Sequence, residues 1–362
     1  MKGTPIALVV VMVCTAIAQD ATAQPWLGPW QQTKACPRDW WGFGDWSATA
    51  YDGRLYVIGS TQTPGTWQCG QSWMADLAAD GSVQAWSQVS TSSVSRGGAG
   101  SAVAVNGYMY TVGGVEGHGP VIDKVEYAPV NPDGTLGTWA PTASLSVPCY
   151  RAGAVAWNNR LYLVGGAQSH SGPWLDTVQV ADIQPDGSLG AWRVDPSTMN
   201  AAHPQNAAVV KDGWLYSISG GYNAYRTAVV ERAEVLSDGS LGPWTLENPL
   251  PTGVACSGAT IIGDYLFVAG GHTGTYGNGK TDGVWSVRIN SDHSLGEWRE
   301  DRDLPFEDHC TALTVGDYVY VLSMPEDGSR PTPQGTYYAI PEPAALALLA
   351  VGGLALLGRK RG

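Results

Sequence analysis

The hexapeptide Leu161-Tyr162-Leu163-Val164-Gly165-Gly166 decides the fold, because the chain repeats it in variant form along most of its length. The copies are Leu55-Tyr56-Val57-Ile58-Gly59, Met109-Tyr110-Thr111-Val112-Gly113-Gly114, Leu215-Tyr216-Ser217-Ile218-Ser219-Gly220, Leu266-Phe267-Val268-Ala269-Gly270-Gly271 and Val319-Tyr320-Val321-Leu322-Ser323. The aromatic positions 56, 110, 162, 216, 267 and 320 lie 51 to 54 residues apart. A second segment, Asp-Gly-Ser/Thr-Leu-Gly-x-Trp, ends at Trp139, Trp192 and Trp244, with looser copies at Trp86 and Trp298. A further Trp, in Leu27-Gly28-Pro29-Trp30, precedes the first aromatic copy.

Each unit carries four strand signals. In the second unit they are 99–105, 108–114, 124–130 and 136–143, separated by Asn-Gly, a Gly-rich loop and Pro-Asp-Gly. Asn-Gly and Asp-Gly between short apolar runs mark hairpins, because both central residues tolerate positive φ. Four antiparallel strands recurring at this period predict the blade of a β-propeller, and six units predict six blades. The last unit stops after its third strand, 336–340, while a lone fourth-strand signal surrounds Trp30. One N-terminal strand completing the last blade closes the ring and removes its free edge. The expected fold is therefore an all-β, six-bladed propeller spanning 24–340.

The aliphatic-aromatic-x-x-Gly-Gly strand ending and the Trp that opens the fourth strand resemble the kelch repeat, over nearly all of 24–340. Unit four departs from it, with Ser219-Gly220-Gly221 moving the Gly pair by one residue, and unit six reads Ser323-Met324. The Arg common before a kelch first strand stands only at Arg38, Arg96 and Arg151, so the last three blades are expected to be less regular. The Gly pairs read as sites of close backbone approach or positive φ. The periodic Trp residues read as packing between blades. The Asp-Gly segments at 133–134, 186–187 and 238–239 offer too few oxygen ligands for calcium and read as turns.

Composition narrows the function. The 362 residues carry 32 acidic against 20 basic side chains, a net charge of −12, so the basic footprint of a nucleic-acid binder is missing. Lys2, an apolar run over 6–18 and Ala21-Thr22-Ala23 read as a secretory signal peptide, 1–23, cut by signal peptidase after Ala23, with a site after Ala18 as the alternative. The other end, 341–362, holds Pro341-Glu342-Pro343, an apolar stretch over 344–357 and Arg359-Lys360-Arg361. That stretch reaches only ~21–24 Å as a helix, short of a comfortable membrane crossing. Its three parts resemble the PEP-CTERM sorting signal of Gram-negative bacteria. The resemblance implies transient membrane association through this short transmembrane helix, processing by an exosortase, and display at the cell surface or release into the extracellular matrix. A plain short anchor is the alternative.

In a kelch-like ring, the loops joining second to third strands share a face with those joining fourth strands to the next first strand. The first class holds Trp67, Trp73, His118, His170, Trp174, Tyr222, Tyr225, His272 and Tyr276. The second holds Arg38, Trp40, Trp41, Arg96, Arg151, His203, Asp308 and His309. Aromatic faces with planar Arg donors suit a carbohydrate or peptide groove, and Trp67, Trp73, Trp174, Tyr222, Tyr225, Tyr276, Arg38, Arg96 and Arg151 are its candidate residues. Five cysteines remain after leader removal, an odd count. Cys36 with Cys69, and Cys256 with Cys310, are the disulfide candidates. His203, Cys256, His309 and Cys310 share a register and form a weaker candidate metal set; no cofactor is otherwise expected. The leading expectation is a non-catalytic propeller that binds exopolysaccharide or a surface protein. The alternatives are a sugar mutarotase using Glu116, Glu307, Asp308 and Arg151, and a metal-dependent oxidase, which is weakened by the lack of an adjacent Tyr-His pair.

Overall fold

The computed structural model describes residues 27–36, 47–62, 69–94, 101–116, 119–169, 171–222, 225–274, 279–307, 309–323 and 335–341; the side chains of 59–62, 69, 222 and 225 are outside this set. The described residues form six antiparallel sheets of four strands each, with no helix. Five sheets are consecutive in the chain. In the sixth, Gln31–Thr33 is the outermost strand, laid against Thr336–Ala339, Tyr318–Ser323 and Cys310–Val315. The ring is thus closed by the N-terminal strand, as the unit count predicts.

Strand extents differ from the sequence expectation mainly at the rim. The second blade comprises Ser101–Val105, Tyr108–Val112, Val125–Pro129 and Ala140–Pro141. Its fourth strand keeps only two residues. Outer strands are equally short in blades three to five, whereas blade one runs Val83–Thr91.

The apolar core lies in the wedges between blades. Tyr216 and Val230 of blade four pack with Leu266, Val268 and Val287 of blade five. Phe267 and Leu304 pack with Leu27, Val319 and Tyr337 of blade six. Cys36, Tyr320 and Leu322 of blade six pack with Leu55 and Val57 of blade one. A blade alone leaves these faces in water, so the fold is cooperative around the ring.

Repeated hydrogen bonds lock five of the six wedges and the turns themselves; blade five has Phe267 in place of the Tyr. The phenol of the repeated Tyr donates to the turn carbonyl of the following blade: Tyr56 to Gly134 at 3.0 Å, Tyr110 to Gly187 at 2.7 Å, Tyr162 to Gly239 at 3.1 Å and Tyr320 to Gly81 at 2.7 Å. Tyr216 reaches His293, which replaces the turn Gly, at 2.7 Å. The Asp of each turn accepts the backbone N–H and hydroxyl two residues on, as Asp186 does from Ser188 at 3.0 and 2.7 Å. These segments are turns, as expected. Indole N–H groups add cross-blade bonds, Trp86 to Lys34 O at 2.8 Å and Trp192 to Ala143 O at 3.0 Å.

The Gly pair ends the second strand where the next blade begins. A Cβ on Gly113 would stand 2.2 Å from the Cys149 carbonyl, and Gly114 N donates to that same oxygen at 2.9 Å. In blade four the pair is displaced in sequence but not in space. Ser219 takes the first glycine's place at φ 54°, and Gly220 N donates to Val254 O at 2.8 Å. The Ser219 hydroxyl accepts from Val254 N at 3.0 Å and shares its one proton between Thr227 O at 2.7 Å and Val254 O at 2.6 Å, offsetting the backbone strain. The register with the third strand shifts between Ile218 and Gly220, so blade four carries a bulge at Ser219, an irregularity of the kind expected for the later blades.

Candidate functional site at the channel mouth

The six innermost strands surround an axial cavity of about 250 Å3, walled by Ala48, Ala102, Ala154, Ala208, Ala259 and Thr311. Convergence of the strands demands small residues. A Cβ on Gly153 would lie 2.5 Å from the Ala208 Cβ, and one on Gly258 would lie 2.2 Å from Ala312 N.

At the mouth, Arg151, Gln205 and Cys256 occupy equivalent places in three successive blades, two residues before each inner strand. All three are left-handed, at φ 56°, 59° and 56°. Their backbones are chained: Gln205 N donates to Arg151 O at 2.8 Å, Cys256 N to Gln205 O at 3.1 Å, and Cys310 N to Cys256 O at 3.4 Å. Left-handed non-glycine residues cost of order 1–3 kcal/mol each and gather at functional sites. With its amide turned to donate to Gly221 O at 2.8 Å, Gln205 also presents its side-chain carbonyl to the Arg151 guanidinium. Arg151 rests 5.4 Å from the Tyr150 ring centroid.

The loops joining second to third strands complete this mouth. Arg226 is half-buried at the start of Tyr225–Glu234, and Lys280 pairs with His272 in an isolated bridge. The His272 and His309 rings are both buried, with centroids 3.9 Å apart. Burial holds His309 well below the ordinary imidazole value, reinforced by His272, Lys280, Arg151 and Arg226. Burial also lowers Arg226, with Cys256 acting against it and Arg151 adding to it. In a chain of net charge −12, the mouth is thus a place where cations from three blades converge. Such a site attracts an anion.

Several candidates from the sequence lie elsewhere. Trp73 is on the third strand of blade one, Cys69–Leu77, and packs half-buried on the core between blades six and one, so it is not a loop residue. Trp174 does sit by the mouth, packed on Val115, Tyr150 and Ala167. The strands of blade four continue to a Tyr222 pairing with Tyr225, whose side chains are outside the described residues. Trp67, Tyr276, Arg38, Arg96, His118, His170 and Asp308 fall outside the described residues as well.

His203 is fully buried inside blade four, not at the mouth. Its Nδ1 lies 2.6 Å from Ser219 O and its Nε2 2.8 Å from Glu231 Oε1. Both ring nitrogens are thereby engaged, and among the described residues no three His, Cys, Asp or Glu side chains converge as a metal set. Glu231 also accepts from Asn200 N and Asn200 Nδ2 at 2.8 and 2.7 Å, pinning the loop that enters its blade. Gln179 fixes Val147 in the equivalent way, through two bonds of 2.9 Å.

Among the cysteines, the Cys310 thiol donates to Ala269 O at 2.9 Å, so it is not half of a cystine with Cys256. Neighbouring backbones did not bring the two sulfurs together. Cys36 is buried between blades six and one, while the Cys69 side chain is outside the described residues. Of the mutarotase acids, Glu116 pairs with Lys124 at 3.1 Å and Glu307 is exposed. Sequence reading passed over Arg226 and Lys280; their signal was position alone, within the same loop class as Tyr225 and His272.

Comparison with known proteins agrees with this architecture. A family model described as the PEP-CTERM protein-sorting motif matches residues 339–361. Over 193 residues, 52% of this chain, the sequence is 28% identical to Kelch-like protein 23 of Pongo abelii; the chain spans only 31% of that protein's length. The solved "Structure of YjhT" is similar in fold, with a TM-score of 0.62 at 17% identity, over 84% of this chain and 95% of that one. Among the described residues no helix is long and apolar enough to cross a membrane, and the expected helix over 344–357 lies outside them. The chain is a six-bladed propeller, similar over half its length to a kelch-like protein, with a C-terminal PEP-CTERM sorting motif, which implies exosortase processing and an extracytoplasmic, surface-directed protein of a Gram-negative bacterium.

Proposed function

We propose that this propeller is a non-catalytic binding module that holds an acidic exopolysaccharide at its channel mouth. The observation that carries the reading is the convergence of Arg151, Arg226 and Lys280 on the buried His272–His309 pair, beside the axial cavity. Planar guanidinium groups take up carboxylates in paired hydrogen bonds, and the partly exposed Trp174 offers a ring face for a sugar. The sorting motif supports the location, since it directs the chain to the cell surface, where an extracellular polysaccharide is within reach. The test is retention of the full chain on immobilised uronate-bearing polysaccharide against a neutral glucan. Retention on the acidic polymer alone, lost with Arg151→Gln, supports the reading; equal retention on both overturns it.

A second reading, a sugar mutarotase, rests on one feature: the His272–His309 ring pair stands at the same mouth, and His309 is uncharged at neutral pH and so does not already carry a proton. Faster interconversion of the anomers of a reducing uronic acid, lost with His309→Gln, would select it.

A further inference from the structure

The two ends of the propeller meet at a defined place in the repeat. In blades two to five, a bridge closes the base of each Asp turn: Val130 with Leu136, Ile183 with Leu189, Val235 with Leu241 and Ile289 with Leu295. The corresponding bridge in blade six joins Leu27 to Pro341. The adjoining bond recurs as well. Gly28 N donates to Ile340 O at 2.8 Å, as Gly137 N does to Pro129 O and Gly190 N to Asp182 O at 2.8 and 2.9 Å. The first residue of the Pro341-Glu342-Pro343 triplet therefore belongs to the folded body. The triplet leaves the propeller where the other blades carry their Asp turns.

Strand direction then fixes the face. The Asp turns join third to fourth strands, and the channel mouth is built from loops joining second to third strands and fourth to first strands. Antiparallel strands place these on opposite faces of the ring. Strands of five residues, such as Gly153–Trp157, separate the faces by about 17 Å. Between Pro341 and the apolar run starting at Ala344 stand only Glu342 and Pro343. Three Cα steps reach at most about 11 Å, and Pro343 further restricts the link by fixing its φ. Turning the mouth towards the lipid would lift the exit point a full strand length from the membrane, beyond that reach.

We infer that, while the sorting segment is still in the membrane, the Asp-turn face of the propeller lies against the lipid surface and the channel mouth points away from it. Any ligand of the mouth can then be engaged before the exosortase cuts. The inference goes beyond the reading of the mouth as a polysaccharide site and does not depend on it.

The test uses the full chain with its sorting segment intact, reconstituted without exosortase into vesicles carrying a headgroup-linked acceptor dye. A donor dye is placed in blade three, either on the Asp-turn face through Asp186→Cys or on the mouth face through Ser171→Cys, both on a Cys256→Ser background. Both native positions are exposed, and sharing a blade gives them a similar lateral distance from the tether. Energy transfer several-fold stronger from position 186 than from 171 is expected. Equal transfer, or stronger transfer from 171, overturns the inference. No ligand enters the measurement, so its failure leaves the binding reading untouched.

Discussion

The Asp301 carboxylate accepts the Leu27 N–H at 2.8 Å, joining residues 274 positions apart in the chain. The same bond links blades elsewhere: Thr142 accepts from Leu189 N at 2.7 Å, Asp195 from Leu241 N at 3.1 Å and Glu247 from Leu295 N at 2.7 Å. Thr33 accepts from Val83 N at 2.7 Å on the other side of the closing blade. The ring is thus closed by the bond that builds it. Asp301→Ala leaves the buried Leu27 N–H without its acceptor and is expected to cost about 1–3 kcal/mol. Asp186→Ala, on an exposed turn, is expected to cost less than about 1 kcal/mol. Urea titration of the two variants checks this; equal losses would contradict it.

The Tyr latches make a second prediction. Tyr110→Phe keeps the ring in place and removes only the bond to Gly187 O, at an expected cost of about 1 kcal/mol. Burial raises Tyr56 and Tyr162 to about 12 and pushes Tyr110, Tyr216 and Tyr320 higher still. Absorbance titration should accordingly show these phenols ionising only as the propeller unfolds. Ionisation near pH 10 with the fold intact would refute the latches.

Acid should weaken the fold in two stages. His309 sits well below its ordinary value of about 6.5, so the unfolded chain takes up that proton first and stability falls as pH drops below about 6.5. Burial raises Glu231, but hydrogen bonds from His203 and Asn200 outweigh it and leave the carboxyl below its usual range. Its contribution is present above about 4.3 and is lost as pH falls through its lower folded value. Melting temperatures measured from pH 8 to 3 should show both declines, with Glu231→Gln removing the second. A flat profile down to pH 5 would contradict the first.

Thiol chemistry separates two cysteines of similar register. Burial raises the Cys149 thiol to about 12, whereas Cys256 is half-buried at the mouth. Iodoacetamide should modify Cys256 in the folded protein and Cys149 only after denaturation, read by peptide mass. Prompt native labelling of Cys149 would show that its wedge opens.

The blade count, the closing strand and the turns were legible because each rests on residues repeated within one unit, as with Tyr162 and its Asp-Gly partner. Contacts made once were not legible. Nothing in the local sequence of Arg226 or Lys280 announces a shared mouth, since they reach it from different blades. Ser219 looked like a slipped glycine pair because sequence spacing cannot show that a serine adopts positive φ. The nearness of Cys256 to Cys310 in register was real at the backbone, yet the direction of the Cys310 side chain decided its partner. Trp73 falls in a strand because the second and third strands of blade one run to nine residues, against five in blades two, three and five.

The most direct test is equilibrium binding of the full chain to a uronate-rich polysaccharide and a neutral one across a salt series. The predicted result is binding to the acidic polymer that weakens as salt rises, and falls at least tenfold in Arg151→Gln/Lys280→Gln with an unchanged melting temperature. Binding that ignores polymer charge, or survives the double substitution undiminished, would contradict the cationic channel mouth as the binding site.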